Sequence, residues 1–394
     1  MAIHPLIDQD RDYIISLRRW FHSHPELSMK EFETARRIEE ELAAIGVPTR
    51  RVGGTGVLGT IQGRRGPGKK IVLRADTDAL PIRDEKTVPY ASQCPGVMHA
   101  CGHDAHTAAL LGAARVLKQL EDTFSGEIAL VFQPGEEYGR GAILFIRDGA
   151  LKGADRSFGI HMQSNLPVGQ VAMNPGAENA SVDHFTIRIQ GKSAHVSTPE
   201  LGADALYAAA QIVTALQGLV GRLKSPTDPA LIGVGVLRSG EGYNIVAKEA
   251  VIEGTVRCFS EETRATLNGK IVDTARSVAA LYNTTAEIET ESFTRALIND
   301  ARVYAETAPV IEKAVGKGNL VAKALSLGGD DMAEIIAAVP GVYAFVGSGS
   351  EAVPGSQMAH HTPGFDIDER CLPIAASLYV ESALFWLKQE VSNV

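Results

Sequence analysis

The ten-residue run MHACGHDAHT, Met98 to Thr107, gathers His99, Cys101, His103, Asp104 and His106 into one short segment. A thiol, imidazoles and a carboxylate at that density suit a divalent transition ion such as zinc, with manganese, cobalt or nickel as alternatives. Any fold for this chain must then bring further donors to the same segment. The competing reading treats the five as polar residues scattered at a helix start, with Asp104 as the N-cap of the Ala-rich run behind it. Donors available elsewhere in the chain favour the metal.

At 394 residues the chain exceeds the usual size of one hydrophobic core, so two domains are expected. A net charge of −9 argues against nucleic acid, whose phosphates require a cationic face. The opening MAIHPLIDQDRDYIISLRRWF has no apolar stretch of signal-peptide length, so a cytoplasmic location is expected. No membrane partner is expected either: the run MAEIIAAVPGVYAFVG is interrupted by Glu334 and Pro340, short of the ~18 to 20 apolar residues that cross a bilayer. Cys94, Cys258 and Cys371 read as core residues, and no disulfide spacing is present.

Apolar residues at helical spacing (Ile14, Leu17, Phe21; then Ala35, Ile38, Leu42) predict two helices flanking the turn HSHPELS, the second ended by Gly46 and Pro48. Strand-length runs follow in VLGTIQG, KIVLRAD, EIALVFQPGEE and RSFGIHMQ, with a long helix from about Asp104 to Leu120 among them. This alternation indicates a layered α/β domain. Residues 179–295 instead read β-α-β-β-α-β, the ferredoxin-like split unit. The pieces after Leu297 most economically complete the first domain. The expected architecture is therefore a two-domain α/β protein, with 1–178 and 296–394 forming the metal-binding domain and 179–295 inserted into it.

Asp76 and Asp78 follow KIVLRA, Glu136 and Glu137 follow EIALVFQPG, and His161 follows RSFGI. Each sits where an apolar run stops, and strand ends on one edge of an α/β sheet are where sites are built. Adjacent side chains at the end of an extended segment diverge, so one carboxylate of the Glu136-Glu137 pair can ligate metal while the other acts as base. His360 and His361 supply one more imidazole. The formal G-x-G-x-x-G at Gly54, Gly56 and Gly59 continues into a strand rather than a helix and is not read as a dinucleotide site. No G-x-S-x-G elbow is present.

FHSHPELS, LRADTDALPI, MHACGHDAHT, QPGEE, GKSAHVSTPELGADA, GEGYNIVAKEAVIEGTVR, GGDDMAEII and HHTPGFDIDE together resemble, in order, the motifs of the metal-dependent amidohydrolase/aminoacylase metallopeptidase family. That branch includes hippurate hydrolase, N-acyl-L-amino-acid amidohydrolases, N-acetyldiaminopimelate deacetylase and auxin-conjugate hydrolases. The resemblance implies two divalent metal ions per subunit, of zinc, manganese, cobalt or nickel. Cys101 would bridge them, His103 and His161 would complete one site, and Glu137 and His361 the other; the family's histidine precedes a proline by two residues, which selects His361 over His360. Glu136 corresponds to the general base, and Asp76 and Asp78 to carboxylates that orient the ligands. His195 and Asn244 match positions that bind substrate and the oxyanion, often across a dimer interface, and Arg257 a position suited to a substrate carboxylate. Thr77 and GGDDMAE depart from the family's usual Met and Gly-x-Glu-Asp-Phe, which leaves the substrate pocket open.

The implied reaction is hydrolysis of the amide of a small-molecule N-acyl-L-amino acid, with an N-acetyl or an aromatic, hippurate-like acyl group. The inserted domain would close as a lid and pair subunits into a homodimer or homotetramer. Competing readings are a dipeptidase or aminopeptidase on the same scaffold, a non-catalytic metabolite-binding protein, and a hydrolase using Cys101 as nucleophile.

Overall fold

The structure, a computed structural model, describes residues 3–388; residues 1–2 and 389–394 of the expected first domain lie outside the described residues. Helices α1 (Pro5–Gln9), α2 (Arg11–Ser23) and α3 (Phe32–Ala44) lead into strands β1 (Thr49–Val52), β2 (Gly56–Gln62) and β3 (Lys70–Asp76). Then come α4 (His103–Gln119), β4 (Glu127–Gln133), α5 (Ala142–Asp148), β5 (Arg156–Pro167) and β6 (Val171–Ala172). β7 (Ala177–Asn179) carries the chain onward to β8 (Ser181–Gln190), α6 (Ala205–Leu223), β9 (Ala230–Ser239), β10 (Glu249–Cys258), α7 (Glu261–Leu281) and β11 (Thr285–Thr294). It returns through β12 (Leu297–Ile298), which pairs with β7, to α8 (Ala301–Val315), β13 (Leu320–Val321), α9 (Met332–Ala338), β14 (Gly341–Gly349) and α10 (Cys371–Lys388).

The chain forms two compact units. One holds Met1–Glu178, Ile298–Ala324 and Asp330–Val394; the other holds Asn179–Leu297 and Leu325–Gly329. The second unit thus runs two residues past the expected 295 and takes in a later segment. Hydrogen bonding explains the addition, since the Ala180 N–H donates to the carbonyls of Ser326 and Gly328 at 2.9 and 3.2 Å.

The first unit is built on an eight-stranded sheet of order β1-β2-β4-β3-β5-β14-β6-β13. Its centre, β4-β3-β5-β14, is parallel, and Asp76 and Gln133 lie side by side at the carboxyl ends of β3 and β4. Those ends are where an α/β sheet presents side chains to a ligand. α4 is buried nearly all round, its alanines allowing close approach to α2 and α10. α10 is long and apolar enough to cross a membrane, yet the unit's core encloses it, with Leu372, Tyr379 and Trp386 fully covered. The earlier run at 332–347 is instead divided between α9 and β14.

The second unit is a four-stranded antiparallel sheet of order β11-β8-β10-β9. Alternation along β8 sends Phe185, Ile187 and Ile189 inward, against Ala208 and Ile212 of α6 and Leu267 and Ile271 of α7. The order of its elements is the expected β-α-β-β-α-β.

Candidate metal centre

α4 begins at His103 because Gly102 turns the chain with a left-handed φ of 96°; a Cβ there would stand 3.1 Å from the Cβ of Met162. The turn sends Cys101 and His103 to the carboxyl edge of the sheet, where ligating atoms of Cys101, His103 and Glu137 lie within 4.8 Å of one another. His161 joins from β5 with its Nε2 3.5 Å from the Cys101 sulfur. His361 faces Glu137, Nε2 to Oε1, at 3.2 Å. The backbone of His361 holds a left-handed φ of 62°, locked by its N–H on the Ala100 carbonyl at 2.8 Å. Such strain in a non-glycine residue persists only where the surroundings over-determine it.

Hydrogen bonds fix which imidazole nitrogen carries a lone pair. The His103 Nδ1–H donates to the Asp78 carbonyl at 2.9 Å, and its fully buried Nε2 has no hydrogen-bond partner among the described residues. A buried ring nitrogen without a partner is costly, and a metal ion satisfies it. The His161 Nδ1–H likewise donates to the Met162 carbonyl at 2.6 Å, leaving Nε2 to face the sulfur. His360 is engaged by backbone on both sides, Nδ1 with the Cys101 carbonyl at 3.2 Å and Nε2 with the Ser164 N–H at 3.4 Å, so His361 is the freer donor. Thiol, imidazole and carboxylate converging at one place fit a divalent transition ion.

Electrostatics agrees. Burial and the Glu137 carboxylate push the Cys101 thiol up. Burial, together with Asp330, Glu137 and Asp331, holds the Glu136 carboxyl well above the usual range. Burial opposes charge on His103, but Asp76 and Cys101 outweigh it and hold that imidazole well above its ordinary value. Excess negative charge of this kind is what a bound cation offsets.

Asp78 organises this edge. Its carboxylate accepts the N–H groups of Glu136 and Glu137 at 3.2 and 3.1 Å and the Ser28 hydroxyl at 2.6 Å, while also facing His103. Asp76 accepts from His106 Nδ1 at 2.5 Å and from Arg74 at 2.7 Å, and His106 Nε2 in turn accepts the Met162 N–H at 2.8 Å. Both aspartates therefore hold in place the segments that carry the candidate donors.

The remaining donors of MHACGHDAHT turn elsewhere. Asp104 is not an N-cap, since Gly102 occupies that position; it pairs with Arg18 at 2.9 Å and His22 at 2.7 Å, both buried. His99 is buried with neither ring nitrogen partnered among the described residues, and burial pushes it down to about 3. His161 departs from expectation in one respect: β5 does not stop there but runs to Pro167, because β14 pairs alongside it as far as Gly349.

Sequence reading missed Arg74, Asp331 and Glu31. Arg74 is fully buried, and its guanidinium also reaches Gln133 at 3.0 Å and Asp331 at 2.9 Å. Its signal was a charge inside the apolar strand KIVLRAD, a place where charges survive only when paired.

In the second unit, His195 and Asn244 are exposed on neighbouring segments, linked by Val196 N–H to Asn244 carbonyl at 3.1 Å. The Ser197 N–H donates to His195 Nδ1 at 3.1 Å, so the neutral ring carries its proton on Nε2. Arg257 on β10 donates to the Leu327 carbonyl at 3.2 Å and to Thr255 at 3.3 Å.

The profile of peptidase family M20/M25/M40 matches residues 72–384. An N-acetyl-L-cysteine deacetylase of Bacillus subtilis is 39% identical over 371 residues, covering 94% of this chain and 87% of the relative. A thermostable carboxypeptidase of Saccharolobus solfataricus is 35% identical, covering 94% of each. The crystal structure of the YXEP protein of Bacillus subtilis, described as a dinuclear metal-binding peptidase, superposes with a TM-score of 0.83 at 32% identity, covering 96% of this chain and 99% of that one.

Proposed function

This chain belongs to peptidase family M20/M25/M40 and is a metal-dependent amidohydrolase, and from that footing we propose that it removes the acyl group from N-acyl-L-amino acids at a dinuclear centre. Cys101, His103, His161, Glu137 and His361 would hold the two ions. When bound, two divalent cations supply a lowered water pKa and a polarised amide carbonyl. Glu136 takes the proton from the attacking water and returns it to the leaving nitrogen, a task suited to a carboxyl whose proton affinity burial and Asp330 raise. His195 offers its Nε2–H to the developing oxyanion, Asn244 binds beside it, and Arg257 pairs with the substrate carboxylate.

The observation that carries this reading is the division of labour in the glutamate pair: Glu137 groups with Cys101 and His103, while Glu136 groups with Asp330 and Asp331. That separation supports giving Glu137 to the ions and Glu136 to the proton, because burial and the like charges of Asp330 and Asp331 raise the proton affinity of Glu136. Glu136→Ala is expected to keep its metal, by elemental analysis, and to lose turnover by at least about a hundredfold. Full activity in that variant would remove the assignment. N-acetyl-L-cysteine, other N-acetyl amino acids, hippurate and dipeptides, read by amine release, separate deacylase from peptidase; the carboxypeptidase relative makes the latter the second reading.

A further inference from the structure

The turn Ser28–Glu31 stands against the turn that carries Glu136 and Glu137. Glu31 occupies the N-cap position of α3 but makes no cap; Glu26 does that work instead, accepting the N–H groups of Glu33 and Thr34 at 3.2 and 2.8 Å. Glu31 is thereby free to point inward, and it is fully buried. One of its carboxylate oxygens accepts the Gly135 N–H at 2.9 Å and the Met29 N–H at 2.7 Å, and the other accepts the Thr55 hydroxyl at 2.7 Å. The contact is close in shape as well as polarity. Gly135 has a left-handed φ of 62°, and a Cβ there would meet the Met29 sulfur at 2.6 Å. Met29 itself holds a left-handed φ of 64°, strain retained where the surroundings enforce it.

Three successive N–H groups therefore end on buried carboxylates from two other segments: Gly135 on Glu31, and Glu136 and Glu137 on Asp78. Downstream, Gly141 and Ala142 N–H groups end on Asp331 at 3.2 and 3.0 Å. Asp78 alone leaves the Gly135 N–H at the entry to the turn without an acceptor, and Pro134 before it has no N–H to give. We infer that Glu31 is a positioning residue for the reaction, fixing through Gly135 where the Glu136 and Glu137 side chains stand. It acts by hydrogen bonding over a set reach, not by its charge.

This inference rests on the roles proposed above for Glu136 and Glu137, and its test separates the two. Glu31→Gln preserves reach and acceptor, because one amide oxygen can take both N–H groups while the NH2 donates to the Thr55 hydroxyl. Glu31→Asp preserves charge but shortens the reach by one methylene. Glu31→Gln is expected to stay within about threefold of the parent in kcat, whereas Glu31→Asp falls about 10- to 100-fold in kcat with KM nearly unchanged. Titration of metal-free protein with manganese(II) gives a second readout: affinity weakens about 10-fold or more in Glu31→Asp and not in Glu31→Gln. An Asp variant as active and as tightly loaded as the Gln variant overturns the inference, as does a Gln variant as impaired as Asp. Glu137→Ala titrated alongside tells the two failures apart. Unchanged metal binding there removes Glu137 as a ligand; weakened binding there, beside a fully competent Glu31→Asp, removes only the role of Glu31.

Discussion

Arg74 lies within β3 with no exposed surface, and three carboxylates, those of Asp76, Asp330 and Asp331, surround its guanidinium. A buried charge network of this kind is weak evidence for net stability, but removing one partner leaves the others uncompensated. Arg74→Met is therefore expected to cost about 3–5 kcal/mol, read as an earlier first transition in urea. The same change frees Asp76, whose other oxygen orients His106, so metal affinity should weaken with it. Two of the proposed ligands, by contrast, are oriented by contacts that local sequence sets up. Gly102 frees Cys101 to turn, and the Met162 carbonyl fixes the tautomer of His161.

At the scale of elements, α4 shows how one segment serves packing and chemistry together. Its alanines bury it between α2 and α10, and its first residue delivers His103 to the sheet edge. β7 carries a different kind of buried group. The Glu178 carboxylate is enclosed by Asn174 N–H, the Asn174 amide and the Asn299 amide, and burial pushes it up to about 7. Its folded pKa lies above its unfolded one, so between the ordinary carboxyl range and about 7 the unfolded chain has released a proton that the folded chain keeps. Stability thus falls as pH rises through that window, and the loss is complete above it. Glu178→Gln removes this dependence: its melting temperature relative to the parent is expected to improve from about pH 5 to about pH 8. A difference that stays constant between the two would contradict the shift.

For the whole molecule, a bound metal would be coupled to the fold. The proposed ligands come from α4 and the segment before it, from the turn after β4, from β5 and from the loop before α10, so an ion held by them would tie together segments from Cys101 to His361. Chelation is expected to lower the melting temperature, and manganese or zinc at about a thousand times Kd to restore about 4 kcal/mol. Glu137→Ala should show a smaller shift on the same addition. A melting temperature indifferent to chelator would argue that these donors hold no ion.

The longer elements of both units were legible in the chain, because periodicity of 3.6 or 2 is a local property: the α2 and α3 stripes, the α4 run and the β-α-β-β-α-β order of 179–295 all declare themselves within a few residues, whereas the short α1, β1, α5, β6, β13 and α9 do not. So did the chemistry of the donors, since Cys101, His103, Glu136 and Glu137 stand in dense motifs. What tertiary structure alone decided was partnership. Asp104 meets Arg18 rather than a metal or its own helix terminus, Arg74 finds Asp331, and Glu31 turns from its helix to Gly135. Each pairs residues far apart in sequence. Burial makes such pairing obligatory, because a charge or N–H withdrawn from water must find a partner, but the partner's identity depends on which strands lie side by side, and no local pattern encodes that.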